Sequence, residues 1–170
     1  MKTLASSVSQ IGSASGGVSA RFIRISRYDN KDECINLAEI KAFDANNNQL
    51  PTTNWKGTSS STFTNDPKHF GIENMFDGNT ASNYLQDGTY NMYHSSCSRS
   101  DWAMIDFGET VNIYNLVLWN RDDCCDARTI GVRISLLDQN QNAMMQFDLD
   151  TDEPKYMLNA ILEPDNIRKY

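Results

Sequence analysis

Residues Ser19 to Ser26 alternate, with Phe22, Arg24 and Ser26 on one face and Arg21, Ile23 and Ile25 on the other. A period of two marks a strand. The cluster Asp29-Asn30-Lys31-Asp32 then reads as a turn, and Cys34 to Phe43 as a second strand closed by the Asn-rich stretch 44–48. Gln49 to Asn54 is a short crossing piece around Pro51, and Gly57 to Asn65 is Ser/Thr-rich and extended. Phe70 to Phe76 reads as one helical turn, stopped by Asp77-Gly78-Asn79-Thr80. Asn83 to Ser100 has little periodicity and reads as a long polar loop. Two apolar runs follow, Asp101 to Phe107 and Ile113 to Asn120, separated by a turn at Gly108-Glu109. Ile130 to Leu137, Met144 to Leu149 and Lys155 to Leu162 complete the set. About eight short strands spaced by Asn, Asp and Gly turns, with little helix, predict an all-β sandwich of jelly-roll type.

The 170 residues suffice for one domain with a sizeable core. No internal linker is evident, so one domain is expected over residues 19–163, with a flexible arm at 1–18 and a tail at 164–170. The arm is small and polar and lacks the apolar stretch of a secretory signal. The net charge of −7 and the lack of a basic stripe argue against a nucleic-acid partner. No apolar run approaches the roughly 20 residues that span a bilayer, so no membrane insertion is expected.

The chemistry concentrates in Leu118 to Arg128, where Arg121, Asp123, Cys124, Cys125 and Arg128 share one short turn between two strand-like runs. Adjacent cysteines joined to each other would close a very small ring with a flat apolar face. The arginines supply forked, permanently charged donors. A flat plate beside fixed donors suits a sugar, which has a CH face and hydroxyl edges. The alternatives are two unlinked thiols, or one of them paired with Cys34 or Cys97. The remaining titratable groups form no nucleophile–base constellation, phosphate loop or zinc spacing, so a non-catalytic protein is expected. Trp102 and Trp119 read as core.

Several segments taken in order, Asn74 to Asn83, Ser96-Cys97, Trp102 to Gly108 and Asn120 to Arg128, resemble the F-type lectins. These are fucose-binding members of the discoidin-like (coagulation factor 5/8 type C) superfamily with a galactose-binding-domain-like sandwich. The resemblance covers roughly residues 19–137, and the Arg-x-Asp-Cys-Cys-x-x-Arg core is its specific part. It implies that Arg121 and Arg128 donate to a sugar, that Asp123 orients them, and that Cys124 and Cys125 form a disulfide stacked on the ring. The family's histidine donor falls at His94 by its spacing to Arg121, or at Arg99 when the alignment runs through Cys97. Tyr84 matches an aromatic that packs on the fucose methyl, and Phe63 is a weaker candidate for the same wall. The resemblance also implies a structural Ca2+ held by Glu39, Asn74, Asp77, Asn79 and Ser96; an ion-free Asx turn is the alternative. Strands at 21–26 and 34–40 look like those that end the family's domain, so the chain looks circularly permuted. The family partner of Cys97 would fall at Ala38, about 13 Å along a strand from Cys34, so both cysteines are expected to stay reduced.

The expected function is carbohydrate binding, directed at fucose or a related terminal sugar. The expected partners are fucosylated glycans, and the expected setting is extracellular or a virion surface. Weak single sites would call for a homo-oligomer or a larger particle. The rivals are a structural or adhesion domain with a degenerate pocket, and an accessory module of a glycosidase.

Overall fold

The computed structural model describes residues 16–81, 83, 85, 86 and 88–162. Twelve strands are formed among them: β1 Gly16–Arg27, β2 Asn36–Phe43, β3 Lys56–Ser59, β4 Leu85–Gln86, β5 Thr89–Tyr90, β6 Tyr93–His94, β7 Trp102–Ile113, β8 Asn115–Asn120, β9 Val132–Leu137, β10 Ala143–Leu149, β11 Lys155–Asn159 and β12 Ile161–Leu162. One sheet runs β10-β9-β1-β7-β3, with β12 beside the start of β1; the other runs β11-β8-β2-β6. All pairings are antiparallel. The expected β-sandwich is therefore the observed fold. The proposed arm up to residue 15 and the tail from 163 lie outside the described residues.

The core lies between the sheets. Ile23 and Ile25 of β1, Ile105 of β7, and Ile134 and Leu136 of β9 meet Leu37 and Ile40 of β2, and Leu116 and Leu118 of β8. β1 buries Val18 and Ala20 and then Ile23 and Ile25. The parity changes because the pairing with β7 slips between Ala20 and Phe22, and a one-residue shift turns side chains to the opposite face. The same irregularity absorbs Gly108, at φ 85°. The expected turn at Gly108-Glu109 is instead a continuation of β7, because a glycine with positive φ bends a strand without ending it.

Other departures are local. The loop expected at 83–100 contains β4, β5 and β6. The helical turn splits into a short helix at Pro67–Phe70, capped by the Asp66 side chain, and a 3-10 turn at Ile72–Met75. Trp119 and Trp102 are half-buried. Lys41 and Lys155 lie over the Trp119 ring at 5.3 and 4.7 Å from its centre, and Arg24 lies 4.9 Å from that of Trp102. Trp102 stands out of phase with buried Ala103 and Ile105, and Trp119 with buried Leu116 and Leu118, and both rings carry cations against them.

Candidate functional site

The loop joining β8 to β9 is closed by polar contacts. Asn120 is the knot: its Nδ2 donates at 3.1 Å to Asp126 O, Thr129 Oγ1 and Glu153 O, and its Oδ1 accepts from Arg121 N at 2.7 Å. Thr129 Oγ1 lies 2.7 Å from the Tyr156 hydroxyl. A second anchor comes from Arg27, whose side chain is 1% exposed. Its guanidinium donates to Arg128 O at 2.8 Å, to Ile130 O at 2.6 Å and, two-pronged, to the Asp29 carboxylate. Hydrogen bonding from Arg27 is the main reason the Asp29 carboxyl sits below its usual range. Gly131, at φ 89°, passes so close to Asp29 that no side chain fits there.

This frame presents the residues expected to bind sugar. Arg121 is buried, and its Nε donates to Asp123 Oδ1 at 2.6 Å with a second contact at 3.3 Å. Arg128 Nε lies 3.1 Å from Glu33 Oε1. Across in β6, His94 is 4% exposed. Its Nδ1 lies 2.7 Å from Ser95 O. A carbonyl only accepts, so Nδ1 carries the proton and Nε2 is the acceptor side of the neutral ring. Burial, aided by the positive charges of Arg128 and Arg121, pushes the imidazole's proton affinity down. The Phe63 ring packs on His94 at 4.5 Å between centres, and Phe70 at 6.1 Å.

Of the two histidine-position candidates, His94 is the one on which the charges of both arginines act, and it stands level with Arg121 across β2, where Leu37 pairs with both Tyr93 and Asn120. Arg99 points to solvent, held by Asp32 through Nε at 3.0 Å and NH2 at 2.6 Å. Tyr84 lies outside the described residues.

The cysteines differ from expectation on both counts. Cys124 and Cys125 are separate thiols, not a disulfide. A hydrogen bond to Cys125, with some desolvation, pushes the Cys124 thiol up. The turn is already closed without a covalent ring: Cys125 adopts φ 63°, and its carbonyl accepts from Arg128 N at 3.1 Å. Cys34 and Cys97, expected to be reduced, are bonded to each other. The reason is register. Asn36 pairs with His94 and Leu37 with Tyr93, so Cys34 arrives beside residues 96 and 97, and the distance to Ala38 is irrelevant. Nothing in the residue spacing alone gives that register. The same register puts both sulfurs within 4.8 Å of a His94 ring nitrogen.

The cation candidates divide. Glu39 on β2 is fully buried; Oε2 accepts from Gly78 N at 3.2 Å, while Oε1 has no hydrogen-bond partner among the described residues. Burial, then the nearby charge of Asp77, pushes the Glu39 carboxyl up to about 8. Asp77 is exposed as a residue, yet partial desolvation of its carboxyl raises it too. Asp77 Oδ1 accepts from Asn79 N at 2.7 Å, and Asn79 Nδ2 donates to Asn91 Oδ1 at 2.9 Å. Asn74 sits beside them, its amide donating to His69 O and Met92 O. Buried Asn91 was missed by sequence reasoning, because it stands in a stretch without periodicity. Ser96 does not join this group. Its Oγ lies 3.4 Å from Asp101 Oδ2, and its amide donates to Ser61. It stands level with Cys34, five residues and about 16 Å along β2 from Glu39.

One buried carboxylate with an orphaned oxygen, Glu39, close to the exposed carboxylate of Asp77 and its Asn79 turn, suits a hard cation with oxygen ligands. A separate cleft of about 410 Å³, lined by residues 53–56 and 107–109, shares no residue with either cluster.

Comparison with known proteins adds two findings. The family profile described as F5/8 type C, NedA-like, galactose-binding domain matches residues 74–163. Fucolectin-3 of Anguilla japonica is 35% identical over 65 residues, 36% of this chain and 32% of that protein. The matched stretch thus spans about a third of the relative's length.

Proposed function

We propose that this chain, which belongs to the F5/8 type C family of NedA-like, galactose-binding domains, is a carbohydrate-binding module for fucose or a related terminal sugar. One observation carries the reading: Leu37 of β2 pairs with both Tyr93 and Asn120, and Glu33 beside Cys34 holds Arg128, so segments far apart in sequence gather Arg121, Arg128 and the buried His94 near the Cys124-Cys125 turn. The partial likeness to an eel protein named fucolectin supports it.

In this reading Arg121 and Arg128 donate to sugar hydroxyls, and Asp123 holds the Arg121 fork in one orientation. His94 Nε2 accepts a hydrogen bond from a sugar hydroxyl. Phe63, at the rim, and the two thiols offer apolar contact to the CH face. No bond is made or broken. A single shallow site of this kind binds weakly, so useful avidity comes from several copies. The Cys34–Cys97 bond supports an oxidising, extracellular or particle-surface setting.

Glu39, Asp77 and Asn79, with Asn91 and Asn74 beside them, are proposed to hold a Ca2+. Its charge would satisfy the orphaned Glu39 oxygen and stiffen the segment that leads to β6 and His94.

Calorimetric titration with L-fucose, backed by a glycan array, tests the reading. Saturable binding is expected, and Arg121→Ala or Arg128→Ala should abolish it with circular dichroism unchanged. A folded chain that responds to no sugar would instead favour an adhesion domain with a degenerate pocket.

A further inference from the structure

The arginines around this site are not bare cations. Arg121 is paired with Asp123, Arg128 with Glu33, Arg99 with Asp32 and Arg27 with Asp29. Beside them His94 is held toward its neutral form. The cluster is rich in donors and close to balanced in charge.

One of the pairs stands apart. Arg27–Asp29 is buried and serves the frame, and Arg121–Asp123 lies within one turn. Arg99–Asp32 is the most exposed, its side chains retaining more than half of their surface. Arg128–Glu33 joins two different loops while about a third of each side chain still faces solvent. Glu33 is also fixed in place: its Oε1 accepts from Cys34 N at 2.9 Å, and Cys34 is tied to Cys97. The negative charge of Glu33 acts on His94 together with the positive charge of Arg128. A carboxylate on a disulfide-anchored backbone therefore stands among the groups expected to meet the ligand.

We propose that Glu33 contacts the ligand and sets its charge class. Arg128 offers donors and Glu33 offers acceptors side by side, a match for neighbouring hydroxyls of a neutral sugar. A sugar carboxylate or sulfate placed against Arg128 meets Glu33 as a like charge and is refused. Glu33 lies outside the stretch matched by the family profile, and the assignment rests on the sugar-binding reading above.

The test compares wild type with Glu33→Gln and Glu33→Asp, using L-fucose as the neutral probe and D-glucuronate as the acidic one, at low and high salt. Wild type is expected to bind fucose and ignore glucuronate. Glu33→Gln keeps the shape and loses the charge; it should gain glucuronate affinity by about tenfold or more, in a salt-sensitive manner, while fucose affinity falls several-fold. Glu33→Asp should keep the refusal. Equal melting temperatures confirm that each variant folds. An unchanged fucose-to-glucuronate ratio in Glu33→Gln, or glucuronate binding by wild type, overturns the role of Glu33 and leaves the lectin reading standing. Failure of folded wild type to bind either sugar overturns both.

Discussion

Glu39 shows how much one residue can determine. An acid raised from an ordinary value near 4.5 to about 8 holds its proton in the folded chain at pH values where the unfolded chain has lost it. Its contribution to stability is therefore present below pH 4.5 and lost as pH rises toward 8. Without a cation, the chain is expected to weaken by a few kcal/mol across that window. Added Ca2+ should reverse the loss most strongly near pH 8, seen as a rise in melting temperature. Glu39→Gln should flatten the pH dependence and remove the calcium response. A melting temperature indifferent to both pH and calcium would contradict this account. The cysteines give a second single-residue expectation: thiol titration of the unfolded chain should count two reactive groups, from Cys124 and Cys125. A count of zero would mean that these two are joined.

At the scale of elements, the 121–131 loop depends on contacts it does not itself contain. Arg27, at the end of β1, holds two carbonyls of the 121–131 segment. Arg27→Met should cost about 3–5 kcal/mol, since it strands Asp29 and two carbonyls. Hydrogen exchange in residues 121–131 should quicken more than in the sheets. The Cys34–Cys97 bond closes a separation of 63 residues. Its loss in Cys34→Ser/Cys97→Ser should cost about 4 kcal/mol if constraint of the unfolded chain dominates, measurable by denaturant unfolding. The strands themselves were legible from alternation, and β2, β9, β10 and β11 lie close to the stretches read as strands. The β1 parity switch was not legible, because it arises from a slip against β7. The three small strands in 83–100 were missed for the opposite reason: two-residue pairings carry no periodicity.

Across the whole molecule, β1 and β2 occupy interior positions, β1 between β7 and β9 and β2 between β8 and β6. Both precede the stretch matched by the family profile. The sheets meet through residues such as Leu118 and Ile105, each fully buried. Leu118→Ala should cost about 2–5 kcal/mol through lost burial and the cavity left behind, and thermal melting would show it. A loss under 1 kcal/mol would mean that this core is looser than its burial implies.

By itself the amino-acid order determined the sandwich class, the turn that carries Arg121 and Arg128, and the acidic turn at Asp77, because alternation and turn chemistry act between near neighbours. It did not determine that Cys34 meets Cys97, that Asn91 rather than Ser96 joins the Asp77–Asn79 turn, or that Glu33 pairs with Arg128. Those meetings follow from how β2 aligns with β6 and from where the β1–β2 loop comes to rest. Such long-range register is decided by the packing of two sheets as one body, and no local pattern encodes it.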